Sequence, residues 1–410
     1  MRIIITGGGI GGLAAAVSLE RQGFDDIVLL EQAPQFSEIG AGIQLSNNGA
    51  RLLRHLGLET KIRETACISR GNYYFDIESA DLILETVAGE WGEQQYGAPF
   101  FHIHRAALLE VLQDSLHATK VHLDSRVSSV TESADDVTVH LADGQQFTGD
   151  LLVAADGIHS TVRSQLFGQQ DPEFSGYLCW RALIPAERLG GVDVPPSCTA
   201  WWGAERSAVV FWVNGGRAMN FIGTVPSNEI KAESWDAPGR VSDLRSSYAG
   251  ACEPLASIVD AISEPFITGI YTRPVLTSWH TDRIVLLGDA CHPIWPFLAN
   301  GATQALEDGY VLARCLTRAA VTGLPGALAD YQARRMPRVR DVARLSQEMA
   351  VTYHLKDPAA VEARNDSMRQ RAVSDPHGQW LRGWLWGYDV VTEADLPISE
   401  VTHMPAPSLA

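Results

Sequence analysis

Cysteine is sparse and scattered. The six cysteines, Cys67, Cys179, Cys198, Cys252, Cys291 and Cys315, include no C-x-x-C pair. This argues against a zinc site and against a disulfide framework, and buried thiols in a reducing compartment are the expectation. Long apolar runs are missing as well. None reaches the roughly 18 residues that a membrane-spanning helix needs, and Ile3 to Ile5 is too short for the core of a signal peptide. Positive charge is in deficit, with 32 Lys and Arg against 49 Asp and Glu and a net charge of −17. Such a surface repels nucleic acid phosphates and anionic lipid, although a local basic site can still hold an anionic ligand against the global field. Internal repeats and low-complexity tracts are also absent. What is present is the composition of a soluble globular chain, 46% apolar and 20% charged over 410 residues, enough for two or three packed units with a large core. The expectation is a cytoplasmic monomer or homodimer without a metal site, binding neither nucleic acid nor membrane.

The first fifty residues carry the first positive signal. Arg2 to Thr6 reads as a buried parallel strand. Gly7, Gly9 and Gly12 form G-x-G-x-x-G, and Leu13 to Leu19 continues as an apolar run of helix formers. A second strand, Ile27 to Leu30, ends in Glu31, 19 residues past Gly12. In such a unit the first glycine permits the tight turn, the second lets the backbone approach a pyrophosphate, and the third lets the helix pack on the strand. The helix start supplies free N–H groups and the positive end of a dipole, and the acid accepts hydrogen bonds from ribose hydroxyls. Dinucleotide binding follows from the motif in this context, but the motif alone does not separate FAD from NAD.

Two later segments bear on that choice. Residues 150–163 read Asp-Leu-Leu-Val-Ala-Ala-Asp-Gly-Ile-His-Ser-Thr-Val-Arg, with Asp156 and Gly157 following an apolar strand. Residues 284–308 open on a fourth apolar strand, turn at Gly288 and place Asp289 at its carboxyl end, where ligands bind in parallel sheets. Pro293 and Pro296 stiffen the next loop, and Asn300 is placed to cap a helix running from Gly301 through Leu316. Together with the N-terminal glycines, these segments resemble the three fingerprints of single-component FAD aromatic hydroxylases, and among them most closely the salicylate hydroxylase group. Further matches are Gly40 to Leu45, His104-Arg105, Trp180-Arg181 and Trp384 to Asp389.

The resemblance implies the para-hydroxybenzoate hydroxylase fold and an FAD held by Gly7, Gly9, Gly12, Glu31, Gln44, Arg105, Asp156, Gly157, Asp289, Pro296, Asn300, Gly301 and Ala302. Asp289 would take the ribityl hydroxyls, Arg105 the ribityl or pyrophosphate region, and the helix start at Gly301 the N1–C2 edge of the flavin. Arg163 is as readily an ion-pair partner of the glycine turn as a cofactor contact. Asn300 departs from the glutamine more usual in the family. No second G-x-G-x-x-G unit exists, so NADH or NADPH is expected to dock transiently as reductant. The implied reaction is hydroxylation of a small aromatic substrate with O2 through a flavin C4a-hydroperoxide.

The expected fold class is α/β: a Rossmann-type FAD domain (1–69, 99–174 and 270–345), a mostly antiparallel substrate sheet (70–98 and 175–269) and a helical C-terminal region (346–410). Ala208 to Val213 and Asn220 to Val225 form a hairpin around Asn214-Gly215-Gly216. Trp380, Trp384 and Trp386 suit packing or a dimer contact better than chemistry. Arg181, Phe211, Trp212 and Phe297 are the expected substrate contacts, Arg181 through a substrate carboxylate. The related enzymes tend to carry a histidine and a tyrosine along Ser207 to Val213, and this chain has neither. The substrate is therefore already activated, or is not a phenol acid, or takes its base from elsewhere, with His102 and His292 as candidates. Two other readings stay open: an epoxidase or tailoring oxygenase of a larger natural product, and a non-catalytic partner-binding protein on the same scaffold.

Overall fold

A computed structural model describes residues 1–36, 41–169, 171–229, 233 and 237–407; Gly40, in one of the matched stretches, lies outside them. Ile284–Leu286, Leu151–Ala154, Ile3–Thr6, Ile27–Leu30 and Lys120–His122 stand side by side in that order, every pair parallel. The first four are buried along their whole length, which is why they read as nearly continuous apolar runs rather than alternating ones. The chain leaves the central strand Ile3–Thr6 to one side for Ile27–Leu30 and returns on the other for Leu151–Ala154. Open parallel sheets bind ligands at the carboxyl end of the strand where this reversal occurs. Helix Ile10–Arg21 starts there and packs against helix Gly301–Leu316.

A seven-stranded sheet stands over that end. Its spatial order is Phe266–Thr272, Glu173–Pro185, Ala218–Pro226, Ser207–Val213, Cys198–Trp202, Gly71–Asp76 and Leu82–Val87. The hairpin across Asn214–Gly216 forms, with Ser207 opposite Thr224 and Phe211 opposite Asn220. All neighbours run antiparallel except Cys198–Trp202 and Gly71–Asp76. One face, carrying Trp180, Trp201, Val210 and Phe221, packs on Leu244, Leu255 and Ile258 of two short helices. The other face, carrying Cys179, Ser207, Val209, Phe211 and Ile222, looks onto the dinucleotide unit and lines the cavities described below.

The C-terminal part is helical: Ala319–Tyr353, kinked at Gly323, then Pro358–Ser374, Gln379–Trp386 and Val390–Asp395. The boundary expected at residue 345 falls inside the long helix. That helix places Tyr331 and Val339 in the core of the parallel sheet and Met349 and Tyr353 against Trp202 beneath the second sheet, so it braces both units. Among the described residues no helix is long and apolar enough to cross a membrane, and no group of three or more His, Cys, Asp or Glu is placed to hold a metal ion.

Candidate active site

A cavity of about 280 Å³ opens at the reversal point of the parallel sheet and is the larger of the two beneath the second sheet. Two glycines of the first turn are there for close packing. A Cβ on Gly7, whose φ is +95°, would stand 2.2 Å from the Ala155 carbonyl oxygen, and one on Gly12 would stand 1.9 Å from the Gly7 oxygen. Gly9 is different. It lines the cavity, and no heavy atom lies within 4 Å of where its Cβ would be; the same holds for Gly157 and Gly301. The open space belongs to a ligand that meets bare backbone at the starts of helices Ile10–Arg21 and Gly301–Leu316, where N–H groups lack intrahelical acceptors. Glu31 accepts from the Gly8 N–H and, at 2.8 Å, from the Ala33 N–H, so its carboxylate also braces the turn.

Asp289, Arg105, Gln44, Pro296, Asn300 and Ala302 all line this cavity, as does Arg181 from the sheet above. Burial raises the Asp289 carboxyl above the usual range, against the opposing pull of Arg105 and His292. Burial lowers Arg105 to about 10, the largest of its influences. Glu233, also on the wall, is ion-paired with Arg273. The remaining lining charges are Arg105 and Arg181 against Asp289. Two cations, two helix starts and one carboxylate suit a diphosphate joined to a polyol.

The turn carrying Asp289 is fixed by a buried network. Asp308 accepts from the Gly288 N–H at 3.2 Å, from His292 Nε2 at 2.6 Å and from Arg335 Nε at 2.7 Å. Arg335 also donates to Glu307 at 2.9 Å and to Gln304 Oε1 at 2.7 Å. His292 is thereby spent on Asp308 and is not on the cavity wall. Asn300 stands at the start of helix Gly301–Leu316, but its side chain makes no cap bond. Its oxygen accepts from Gln304 Nε2 at 2.7 Å and its amide donates to Ser46 Oγ at 3.2 Å, because its backbone is already near helical (φ −115°, ψ −3°) rather than extended as a side-chain cap requires.

Other expected site residues take structural places. Asp156 accepts from Ser160 Oγ at 2.6 Å and from the Val162 N–H at 3.2 Å, capping helix Thr161–Phe167 beside the cavity. Arg163 ties its own segment to the Asp289 turn through the Ile158 and Ala290 carbonyls. His102 lies behind the wall against Phe100 and Phe211, and burial pushes it down to about 3. Phe211 lines the larger cavity, but Trp212 points to the opposite face and donates to the Val194 carbonyl at 2.9 Å. Successive strand residues face opposite ways, so adjacent positions cannot both line one wall.

Phe297 lines a second cavity of about 120 Å³, which shares Gln44, Ile222, Pro296 and Ala299 with the first. Its walls are mostly apolar: Val209, Leu298, Met349, Tyr353, Leu385 and Trp386 among them. Two hydroxyls, Ser207 and Thr224, line it and stand 2.7 Å apart. Both reach His354 Nε2, at 3.0 and 2.8 Å, while His354 Nδ1 lies 2.7 Å from the Ala350 carbonyl. A carbonyl only accepts, so Nδ1 carries the proton and Nε2 offers a lone pair. Burial pushes His354 down to about 4 and keeps it neutral. Sequence reasoning missed His354, because it stands past the end of a long helix with nothing local to mark it. It also passed over Arg382 on this wall, for which a lone cation in Leu381–Trp386 was the available signal. Of the C-terminal tryptophans, Trp386 lines the cavity, Trp384 packs on Arg338 and Trp380 on Arg371.

A Rossmann-type unit with space along its bare-backbone turns, roofed by a β-sheet over a second, mostly apolar cavity, is the arrangement of a flavoprotein oxygenase. The residues lining the larger cavity fit FAD: open space at Gly9, Gly157 and Gly301, excess positive charge for the diphosphate, and a buried carboxylate for hydroxyls. A family model described as an FAD binding domain matches residues 1–346, and the chain belongs to that family. It is 36% identical over 386 residues to a 3-amino-4-hydroxybenzoate 2-monooxygenase of Streptomyces cremeus, covering 93% of this chain and 95% of that protein. It is 32% identical over 402 residues to a 6-hydroxynicotinate 3-monooxygenase of Pseudomonas fluorescens, covering 95% of each. Among solved structures, Klebsiella pneumoniae HpxO complexed with FAD and uric acid matches with a TM-score of 0.80 at 29% identity, over 92% of this chain and 95% of that one. The chain is an FAD-dependent monooxygenase of the aromatic hydroxylase type, with a reduced nicotinamide nucleotide as electron source.

Proposed function

We propose that the enzyme hydroxylates a single-ring arene activated by a hydroxyl or amino group, that the larger cavity holds FAD and that the smaller one holds the ring. The observation that carries this reading is the smaller cavity itself. Its volume, about 120 Å³, is on the scale of the roughly 150 Å³ engineered cavity that binds benzene. A multi-ring natural product does not fit that space.

Gly9, Arg105, Asp289 and the helix start at Gly301 would hold the cofactor. When bound and reduced by the nicotinamide nucleotide, FAD would carry the two electrons that activate dioxygen, one oxygen atom going to the ring and the other leaving as water. The protein's share is orientation, water exclusion and proton handling. The apolar wall of Val209, Leu298, Met349, Leu385 and Trp386 excludes water. Ser207 and Thr224 carry one proton each. One donates to His354 Nε2 and the other to its sister oxygen, which leaves the pair presenting lone pairs to the ring. That arrangement accepts a hydrogen bond from a phenol or an aniline and draws electron density into the ring. Names of relatives support the same class, since 3-amino-4-hydroxybenzoate and 6-hydroxynicotinate are single rings with such substituents.

The test is a panel of hydroxybenzoates, aminobenzoates and hydroxypyridines, scored for substrate-stimulated NADH or NADPH oxidation together with a product carrying one atom of isotopically heavy dioxygen. The expected result is stoichiometric product from at least one member. Hydrogen peroxide alone from every member, with product only from multi-ring compounds, would overturn the reading.

A further inference from the structure

Arg382 sits on helix Gln379–Trp386, is 6% exposed and lines the smaller cavity. Among the described residues it is the charged group on that wall, and no carboxylate lies within ion-pair distance of it. Its guanidinium stacks over Trp386, 4.5 Å from the ring centre. Nη2 donates to Thr86 Oγ1 and, with the Asn72 amide turned so that its oxygen faces the cation, to Asn72 at 3.1 Å. Nη1 donates to the His377 carbonyl at 3.3 Å. The Tyr74 hydroxyl also hydrogen-bonds the guanidinium, so its described partners are neutral groups, and five N–H donors leave room for a ligand acceptor at the cavity wall. Asp375 acts on Arg382 only from beyond ion-pair distance, and burial raises both the Tyr74 hydroxyl and the Cys198 thiol, the latter to about 11. A cation buried to this degree without a counter-charge is costly unless a ligand brings one.

We propose that Arg382 selects the substrate by receiving a ring carboxylate, opposite the Ser207–Thr224–His354 cluster that takes the hydroxyl or amino group. The sheet order supports two separated poles. Tyr74, beside Arg382, lies two strands from Ser207 and two residues along from the position level with it, a separation of roughly 12 Å from the lateral and along-strand spacings together. That is the scale of one ring with a substituent and a hydrogen bond at each end. This inference rests on the single-ring reading above and adds an obligatory acid group and its partner.

The experiment measures ligand binding by the change in flavin visible absorbance, with 3- and 4-hydroxybenzoate and 4-aminobenzoate as probes, each beside its neutral carboxamide. Wild-type enzyme should bind at least one acid tenfold or more tighter than its amide, the scale of a charge-assisted hydrogen-bonded pair. Arg382→Met should abolish that preference while amide affinity stays within about twofold. Arg382→Lys, which keeps the charge and loses the fork, should retain part of it. Equal wild-type affinity for acids and amides overturns the assignment whether or not either variant folds, and so does an unchanged preference in Arg382→Met. Wild-type protein that responds to neither series overturns the single-ring reading and this inference with it.

Discussion

Three histidines separate by what their ring nitrogens touch. His292 gives its Nε2 to Asp308 and serves the turn. His102 has no partner at Nε2 among the described residues and lies between Phe100 and Phe211. His354 alone connects to groups on a cavity wall. Burial holds His354 at about 4 and His102 at about 3, below the ordinary 6.5. As pH falls from 6.5 toward 4, the unfolded chain takes up protons that the folded chain refuses. Stability from these groups is therefore whole above 6.5 and drains away through that window. His354→Gln should narrow the gap between urea midpoints at pH 7 and pH 5. An unchanged gap would contradict the buried neutral imidazole. Activity of this variant should also fall, since a glutamine amide does not hold the ring lone pair that Ser207 and Thr224 both reach.

Helix Gly301–Leu316 does two jobs. Its start borders the flavin cavity, and its Glu307 and Asp308 hold the neighbouring turn through Arg335. Arg335 and both carboxylates are fully buried, and the acids raise the arginine well above its ordinary value while Arg335 and His292 lower Asp308. Arg335→Met leaves Asp308 with His292 alone and Glu307 with only the more distant Arg338, at 3.6 Å, in the protein interior. The expected loss is about 3–5 kcal/mol, read from thermal or denaturant unfolding, because an unpaired buried charge keeps its desolvation penalty. A loss under about 1 kcal/mol would show that water reaches the site. Strand Ser207–Val213 teaches a different lesson: its residues alternate between two buried faces, so apolarity alone did not tell Phe211 from Trp212.

Over the whole molecule, the cavity proposed for FAD is lined by segments around Gly9, Arg105, Gly157, Asp289 and Gly301, so on that reading ligand binding couples directly to folding. Free FAD at 100 times its Kd should raise stability by about 2.7 kcal/mol over the apoprotein, seen as a saturable rise in melting temperature. Asp289→Ala should remove that rise and release FAD on gel filtration. The apoprotein should melt where wild-type apoprotein does, because a buried carboxylate held above its usual pKa contributes little to the empty fold. Tight stoichiometric FAD in this variant would refute the role given to Asp289. The net charge of −17 disfavours approach of an aromatic acid at long range. A buried arginine on the cavity wall opposes that field at short range and gives the acid a reason to enter.

The amino-acid order alone determined the parallel sheet, the glycine turn and the start of the helix at Gly301, because neighbouring residues along the chain make those features. Backbone contacts to a diphosphate impose a spacing, and spacing is visible without coordinates. The smaller cavity, proposed to hold the substrate, was decided only by tertiary structure. His354 meets Ser207 and Thr224 across 147 and 130 residues, and Arg382 reaches the same wall on a later helix. Each is a single side chain whose meaning depends on where a long helix carries it, and no local pattern records that destination.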